Sequence, residues 1–437
     1  MSTLVAGTWR NWGGNQSCVP TEVAQPSSQD DIVALVQRAA AAGGRVKVYG
    51  AGHSFTDIAC TSGILVNLDL YDQVLNVDTA NHRVKVQSGI SIARLGVELA
   101  RHGMAQPNLG DIAYQSIAGA ISTATHGTGL KLGNIATQIC ALTMVLADGQ
   151  VVEFSPDRDP DAFRCAQVSL GALGIISTVT LQCVPQFVLQ SIEDPRPLDE
   201  MLERYAELCE ANQHFEFFWF PHTDRVQSIR NNPVDGPPKP RNRVSDYLND
   251  IVVENHVFGL VQRAGRARQK WIPGLNRFTT KMLSHAEMRD WSHRVFANPR
   301  LVRFVEMEYA IPRAQAVPAI RALKAMIDRS GMHISFPVEV RVGAGDDAVM
   351  STAHGRETTY IAVHVFQGME YDRYFHEVEA VMNAFDGRPH WGKMHYQAAE
   401  TLRTRYPRFD EFVRLRNELD PQGLFRNAYL DRVLGPN

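Results

Sequence analysis

The chain has 437 residues, of which 44% are hydrophobic and 21% are charged, and its formal net charge is −3. This length and apolar content allow about two or three domains with sizeable cores, and the charge gives no electrostatic basis for binding nucleic acid. The sequence lacks an apolar run long enough to span a membrane, and its six cysteines form no C-x-x-C pair. We therefore expect a cytoplasmic protein with reduced thiols, without a signal peptide or a zinc site.

Alternating strand and helix patterns in residues 1–185 predict an α+β domain. The predicted helices cover residues 29–42 and 91–101, and a capping box of Ser27 and Asp30 begins the first of them. Predicted strands cover residues 45–49, 63–68, 83–87 and 174–184. A hairpin with its turn at Asp148-Gly149 joins two further strands, residues 139–146 and 151–154.

The composition changes near Pro185, where a second domain is predicted to begin. It starts with a helix at residues 198–212, an aromatic strand at 215–220 and a proline-rich surface loop at 231–243. Three later strands are expected to form one antiparallel sheet, with a helix at 314–328 between the first two: residues 303–310, 336–342 and 359–366. Residues 407–429 return to helix and turn.

The strand at residues 45–49 leads into a glycine-rich turn with a histidine near its exit, Tyr49-Gly50-Ala51-Gly52-His53-Ser54-Phe55. Glycines let the backbone bend and bring its N–H groups against a bulky anion such as a pyrophosphate. The nicotinamide fingerprint G-x-G-x-x-G does not fit, because its third glycine falls on Phe55. The turn predicts a dinucleotide beside the reactive side chain of His53, with an ordinary turn after a strand as the alternative.

A second run of small residues covers positions 116–129. Small side chains expose the backbone to close contact with a ligand, and hydroxyl groups can satisfy phosphate or ring heteroatoms. A tight packing seam between strands would use the same residue types. Because two such loops lie in one domain, we favour a ligand site.

In the strand predicted at residues 336–342, Glu339 and Arg341 share one face, because side chains on a strand repeat with a period of two. Two charges on a buried face are unfavourable unless they meet a ligand or each other. We therefore interpret the pair as part of a substrate site, with a structural ion pair as the alternative. His364, in the next predicted strand, is either a further substrate contact or a core histidine.

Four segments of the chain resemble the aldonolactone oxidoreductases, which are flavoproteins of the vanillyl-alcohol-oxidase type. These segments are residues 50–55, 119–129 and 169–176 and the motif His390-Trp391-Gly392-Lys393. The resemblance extends from about Trp9 to Leu434, and segments 388–393 and 420–430 are specific to it.

The resemblance implies an α+β fold with an FAD-binding domain of the PCMH type in residues 1–185 and a cap domain in residues 186–385, whose antiparallel sheet is flanked by helices. Residues 386–437 would return to the FAD domain and complete the active site. In members with a covalent flavin, the residue matching His53 is joined to the 8α-methyl group of the ring, so covalent attachment is expected. The implied FAD-binding residues are Tyr49, Gly50, Ala51, Gly52, His53, Ser54, Phe55, Gly110, Asp111, Ser116, Gly119, Ala120, Ser122, Thr123, His126, Gly127, Gly174, Ile176, His390 and Lys393.

The same resemblance implies an FAD-dependent enzyme that oxidises an aldono-1,4-lactone, in the first place L-gulono-1,4-lactone, at its C2 hydroxyl. Hydride would pass to flavin N5, and the product would be ascorbate or an analogue. The implied catalytic residues are Glu339, Arg341 and Lys393, with Arg341 stabilising negative charge and either Glu339 or Lys393 acting as the base. The stereochemistry of the lactone stays open, as does the electron acceptor, which is oxygen or a cytochrome- or quinone-type molecule.

An alditol oxidase acting on open-chain polyols is the nearest alternative function, and a non-catalytic carbohydrate-binding protein is the alternative from another class. A serine hydrolase is excluded, because the G-x-S-x-G pattern fails at Thr56. No metal is expected, because His390 and His395 have neither helical spacing nor a carboxylate partner. The resemblance implies that the segment matching residues 247–275 is strongly apolar in animal members of the family. In this chain the segment contains charged residues such as Glu254 and Arg263, so we predict no membrane insertion.

Overall fold

The structure, a computed structural model, describes residues 2–240, 258–297 and 301–436. The strands of the N-terminal part are β1 (Thr3–Val5), β2 (Thr8–Arg10), β3 (Ser17–Cys18), β4 (Glu22–Ala24), β5 (Val46–Tyr49), β6 (Ile64–Asn67), β7 (Val74–Asp78), β8 (Arg83–Gln87), β9 (Met104–Ala105), β10 (Ile139–Val145), β11 (Val151–Phe154), β12 (Ile175–Gln182) and β13 (Val184–Pro185). Its helices are α1 (Gln29–Ala41), α2 (Ile92–Arg101), α3 (Ile117–Ser122) and α4 (Pro160–Gln167).

Two sheets shape the N-terminal part. Strands β4, β6 and β5 form a parallel sheet, and the order β11-β10-β12-β8-β7 forms a five-stranded antiparallel sheet. Helix α1 packs on this part through Ile32 and Val36, and its predicted bounds are confirmed to one residue. The predicted capping box is wrong by one residue: Ser28 has extended backbone, and its Oγ accepts a hydrogen bond from Asp31 N, so Ser28 is the cap.

The cap region contains the strands β14 (Val188–Pro197), β15 (His214–Trp219), β16 (Arg225–Pro233), β17 (Ala286–Trp291), β18 (Phe304–Pro312), β19 (Val338–Gly343), β20 (Thr358–Phe366) and β21 (Arg388–Pro389). Its helices are α5 (Leu198–Glu203), α6 (Tyr205–Ala211), α7 (Phe258–Ala267), α8 (Ile272–Met282), α9 (Ser292–Val295), α10 (Ala316–Ser330) and α11 (Asp372–Asn383). The strands form one eight-stranded sheet in the order β17-β14-β16-β15-β19-β20-β18-β21.

Side chains on the central strands of the cap sheet alternate between two environments, as the pleat requires. One face is apolar and packs against α5, α6, α10 and α11; it includes Phe217, Met307, Val340 and Val363. The opposite face carries polar and charged side chains: Glu216, Glu306, Glu308, Glu339, Arg341, Tyr360 and His364. We call these seven side chains the charged face.

The C-terminal helices pack on the N-terminal part. They are α12 (Ala399–Arg405), α13 (Phe409–Leu419) and α14 (Ala428–Leu434), and residues such as Leu402, Phe412 and Tyr429 join the core that contains Ile117 of α3. A backbone hydrogen bond also joins the C-terminal segment to strand β5, since Val46 N donates to Leu424 O at 2.9 Å. The chain therefore begins and ends in the same part of the fold, with the cap sheet between.

Two sequence predictions for the cap are wrong. The predicted helix at 198–212 is two helices, α5 and α6, because the backbone at Arg204 leaves helical geometry, with φ −96° and ψ 6°. The loop predicted from residue 231 begins inside β16, whose pairing with β14 continues to Pro233; residues 241–243 lie outside the described residues. A sheet partner distant in sequence overrides the local turn signal here.

The predicted absence of membrane insertion concerns residues 247–275, of which 247–257 lie outside the described residues. Among the helices that the structure describes, none has both the length and the apolar character needed to cross a membrane.

Candidate active site

A cavity lies in the N-terminal part, against the glycine-rich loop at residues 50–54. The loop after β5, the start of α3 and the turn before β12 line it. Twelve of the predicted FAD-binding residues meet in this lining: Tyr49, Gly50, Ala51, Gly52, His53, Ser54, Ser116, Gly119, Ser122, Thr123, Gly174 and Ile176. Trp9, Lys47 and Asp69 also line the cavity, and no motif in the sequence selects them.

The glycine-rich loop can pass so close to its surroundings only because two positions lack a side chain. A Cβ on Gly50 would lie 2.4 Å from Ser116 Oγ, and Gly52 has φ +70°, where L residues are strained. The outer side of the loop is tied to the N-terminal strands, since Ser2 N donates to Ala51 O at 2.9 Å and Trp12 N donates to Gly52 O at 2.8 Å. The inner side is thereby held against the cavity.

His53 is a half-buried residue whose Nδ1 atom is buried and makes no hydrogen bond to the described residues. The imidazole ring lies 5.0 Å from the ring of Trp12. Burial, reinforced by the positive charge of Lys393, lowers the pKa of His53 to about 3. The imidazole is therefore neutral at physiological pH, with a free lone pair for bonding to an electrophile.

The His390–Lys393 motif is attached directly to the glycine-rich loop. Phe55 N donates to Gly392 O at 2.7 Å, and Thr56 Oγ1 donates to Trp391 O at 3.2 Å. Lys393 Nζ lies 5.4 Å from the centre of the Phe55 ring. The motif therefore joins the loop that carries His53 to the cap.

The charged face holds Arg341 between two carboxylates. Arg341 Nε lies 2.5 Å from Glu216 Oε2, and its Nη2 lies 2.5 Å from Glu339 Oε1. The register places Arg341 beside Glu216 on β15 and beside Tyr360 on β20. Because only 14% of the Arg341 side chain is exposed, both ion pairs are largely shielded from water.

Lys393 reaches the same face from outside the sheet and forms an ion pair with Glu306. His364 Nε2 lies 3.5 Å from Glu306 Oε1 and 3.9 Å from Glu339 Oε2. Burial opposes the charge on Lys393, but Glu306 and Glu308 raise the pKa of its ammonium above the usual value. Although Glu306, Glu339 and His364 bring possible metal ligands within 4.8 Å of one another, Lys393 and Arg341 already neutralise the two carboxylates.

His126 forms a second buried pair, with Glu308. Its Nε2 lies 2.5 Å from Glu308 Oε1, and its Nδ1 lies 2.8 Å from the carbonyl oxygen of Gly127. Both ring nitrogens therefore lie beside oxygen atoms, and the ring stacks on that of Tyr360 with the two centroids 3.5 Å apart.

The other predicted site residues lie outside the cavity lining. Phe55 packs on Phe304 in the apolar core, and Ala120 is buried in α3. Gly127 lies where a Cβ would be 2.2 Å from Leu109 O, which explains its small size by packing alone. The remaining predicted residues lie around the charged face or beside the loops near His126: Gly110, Asp111, His126, His390, Lys393, Glu339 and Arg341.

Sequence reasoning missed Glu216, Glu306 and Glu308. Each occupies an alternate position in an apolar strand, which is the same signal that selected Glu339 and Arg341. Alternation of side chains along these strands would therefore have predicted the three carboxylates as well.

Acidification is expected to weaken the fold through Glu306. Burial opposes its charge, but Lys393 and His364 lower the pKa of Glu306 from the usual 4.5 to about 2. A carboxyl whose folded pKa is depressed contributes stability above its unfolded pKa and loses it as the pH falls towards the folded pKa, here on the order of 3 kcal/mol. Urea unfolding of Glu306→Gln should therefore depend less on pH between about pH 5 and 2 than that of the wild type. Glu98→Gln, on an exposed pair with Arg101, serves as the control, and parallel wild-type and Glu306→Gln profiles would contradict the expectation.

Comparison with known proteins identifies the family and the fold. Residues 20–155 match the FAD binding domain family, and residues 179–433 match the D-arabinono-1,4-lactone oxidase family. The second match covers more than half of the chain. The protein belongs to the aldonolactone oxidoreductase family.

Individual members of the aldonolactone oxidoreductase family and one solved structure agree with this assignment. L-gulono-1,4-lactone dehydrogenase of Mycobacterium tuberculosis is 44% identical over 428 residues, which cover 98% of this chain and 99% of that protein. L-gulonolactone oxidase of Bos taurus is 35% identical over 437 residues, covering 97% and 98%. Cholesterol oxidase from B. sterolicum shares the fold, with a TM-score of 0.78 and 18% identity, over 100% of this chain and 98% of that one.

This aldonolactone oxidoreductase is accordingly an FAD-dependent enzyme, and the predicted family, fold class and cofactor are confirmed. Its residues fit the cofactor on two independent grounds. The buried Nδ1 of His53 has no hydrogen-bond partner among the described residues, and the missing Cβ of Gly50 allows the loop to lie close to Ser116, which lines the same cavity. Trp9 Nε1, a second buried polar atom without a partner in the described part of the chain, belongs to a residue of the same lining.

Proposed function

We propose that the enzyme oxidises an aldono-1,4-lactone, preferentially L-gulono-1,4-lactone, at its C2 hydroxyl and forms ascorbate or an analogue. One observation carries the proposal: a buried face of paired charges is joined through the His390–Lys393 motif to the loop that carries His53. A lactone with several hydroxyl groups needs such a set of fixed donors and acceptors. The names of the bacterial and bovine relatives support this substrate class.

The cofactor would be held by the glycine-rich loop and by Ser116, Ser122 and Thr123, which line the same cavity. When bound, FAD supplies the hydride acceptor at N5 of its ring. We propose that His53 is joined covalently to the flavin ring, because its imidazole is neutral and its buried Nδ1 has no hydrogen-bond partner among the described residues.

Arg341 would stabilise negative charge that develops on the reacting oxygen. Its guanidinium is held at two nitrogens by Glu216 and Glu339, so its orientation is set before substrate arrives. A preorganised cation in a water-poor site stabilises charge more effectively than a mobile one.

Glu339 is the better of the two proposed bases. The ion pair with Glu306 and the raised pKa of Lys393 favour a permanent ammonium, which cannot accept a proton. Burial raises the pKa of Glu339 despite the opposing charge of Arg341, which makes this carboxylate a stronger proton acceptor. Lys393 would then supply positive charge, and His364 would contact substrate beside Glu339.

Anaerobic reduction tests the proposed function. The purified holoenzyme is mixed separately with L-gulono-, L-galactono- and D-arabinono-1,4-lactone and with xylitol, while the flavin absorption band is followed. We expect L-gulono-1,4-lactone to bleach the band fastest and xylitol to leave it unchanged. Bleaching by xylitol alone would favour an alditol oxidase, and a folded protein without flavin colour would overturn the proposal. Oxygen, a cytochrome or a quinone is then added separately to the reduced enzyme, and the molecule that restores the flavin absorption band is the electron acceptor.

A further inference from the structure

Two cysteines from separate segments, Cys18 and Cys60, meet at a second pocket, which they line together with Thr61 and Arg426. Cys18 ends β3, and Cys60 follows the turn Asp57–Ala59. The segments run side by side, since Thr21 N donates to Ser62 O at 3.1 Å and to Gly63 O at 3.0 Å. Both cysteines are partly exposed, and their thiols lie close enough to change each other's acidity.

The two thiols have different acidities. The hydrogen bond from the Cys60 thiol and, against some burial, a second one from the backbone N–H of Thr61 lower the pKa of Cys18 to about 7. The same contact raises the pKa of Cys60, so the proton stays on that sulfur. Burial raises the pKa of Cys140, and raises that of Cys165, Cys183 and Cys209 to about 12. Among the six cysteines, Cys18 alone therefore combines partial exposure with thiolate character, and it has a neighbouring thiol.

We propose that Cys18 and Cys60 form an oxidisable dithiol that reduces peroxides and closes to a disulfide. The Cys18 thiolate attacks one peroxide oxygen, the O–O bond breaks, and the leaving hydroxide takes a proton to become water. Cys60 then attacks the sulfur of the Cys18 sulfenic acid, the S–O bond breaks, and a second water leaves as the S–S bond forms. Two thiols are oxidised by two electrons, and hydrogen peroxide is reduced to two waters.

The disulfide would connect the N-terminal strands to the wall of the cavity beside the glycine-rich loop. Asn427 Nδ2 donates to the carbonyl oxygens of Asp57, Ile58 and Cys60, each at 3.0 Å, and Ile58 lines that cavity. A bond from Cys60 to Cys18 would therefore constrain this turn from its other side. We expect the oxidised holoenzyme to unfold at a higher temperature than the reduced one.

Mass spectrometry of the full-length holoenzyme after hydrogen peroxide treatment tests the proposal. We expect two of the six thiols to be lost, the intact mass to fall by about 2 Da, and trypsin to release residues 11–38 joined to residues 48–83. Cys18→Ser and Cys60→Ser should each abolish the joined peptide, whereas Cys140→Ser, at another partly exposed thiol, should keep it.

A second measurement uses the wild-type protein and therefore does not depend on whether the serine variants fold. Phenylarsine oxide forms two As–S bonds only with thiols that lie together, so one arsenic should bridge Cys18 and Cys60 in the reduced holoenzyme. In the peroxide experiment, the proposal would be overturned if Cys18 were oxidised to sulfinic acid without the joined peptide, or if both Cys18 and Cys60 stayed reduced. In the arsenic experiment, it would be overturned if the arsenic bound thiols other than Cys18 and Cys60.

Discussion

Replacing Arg341 by alanine is expected to slow flavin reduction by the lactone about 10²- to 10³-fold, the loss typical of removing one preorganised donor from a developing negative charge. Arg341 Nε and Nη2 each lie 2.5 Å from a carboxylate oxygen, of Glu216 and Glu339 respectively. The substitution removes the cation from the reacting centre and leaves both carboxylates without this partner. Arg341→Lys should recover only part of the rate, because a single ammonium cannot reproduce the forked geometry of the guanidinium.

The Arg341→Ala experiment has to separate catalysis from folding. Breaking a buried ion pair destabilises a protein by about 3–5 kcal/mol, so the reduction rate is measured anaerobically per bound flavin, beside the unfolding midpoint. Arg230→Ala is the matched control, since Arg230 pairs with Asp194 in the same cap sheet but away from the charged face. Near-normal reduction in Arg341→Ala would remove Arg341 from the site.

Replacing Gly50 by valine is expected to lower the flavin content of the purified protein about tenfold or more, because overpacking a close contact is unfavourable by about 1–3 kcal/mol. A Cβ on Gly50 would lie 2.4 Å from Ser116 Oγ and 3.2 Å from Ser116 Cβ, and the two methyl groups of valine would add to this clash. Relief requires the loop and the start of α3 to separate, which deforms the cavity that they line together.

The ratio of flavin absorbance to protein absorbance measures the effect of Gly50→Val. Gly274→Val is the control, because a Cβ on Gly274 would have no atom within 4 Å. If Gly50→Val retained full flavin content while its fold and thermal midpoint matched the wild type, the loop would not be part of the cofactor site.

The strand rule predicted part of the charged face and could have predicted more. Glu339 and Arg341 follow from alternation within one strand, and the same alternation holds for Glu306 and Glu308 in β18. The pairing of these residues was not predictable in this way, because the order β15-β19-β20-β18 is not the order of the chain. His126 and Glu308 meet across 182 positions, and no local pattern records such a contact.

Local signals also failed where tertiary packing decides the structure. The small-residue run after Ser116 has the composition of a loop, yet Ile117 and Ile121 are fully buried and hold it as the short helix α3. The turn of the glycine-rich loop was predictable because its requirement for glycine is local: φ +70° at Gly52 and the lack of space for a side chain at Gly50 disfavour other residues. The resemblance of the His390–Lys393 motif to the family identified Lys393, which alternation could not.

The state of His53 after denaturation tests the central claim most directly. The purified protein is precipitated with acid and digested with trypsin, and the peptide covering residues 48–83 is identified by mass and flavin fluorescence. We predict that this peptide carries the flavin, bonded at the imidazole that lacks an Nδ1 partner in the described part of the fold. The account would be contradicted if this peptide were unmodified and all the flavin stayed in the acid supernatant, or if the folded protein contained no flavin.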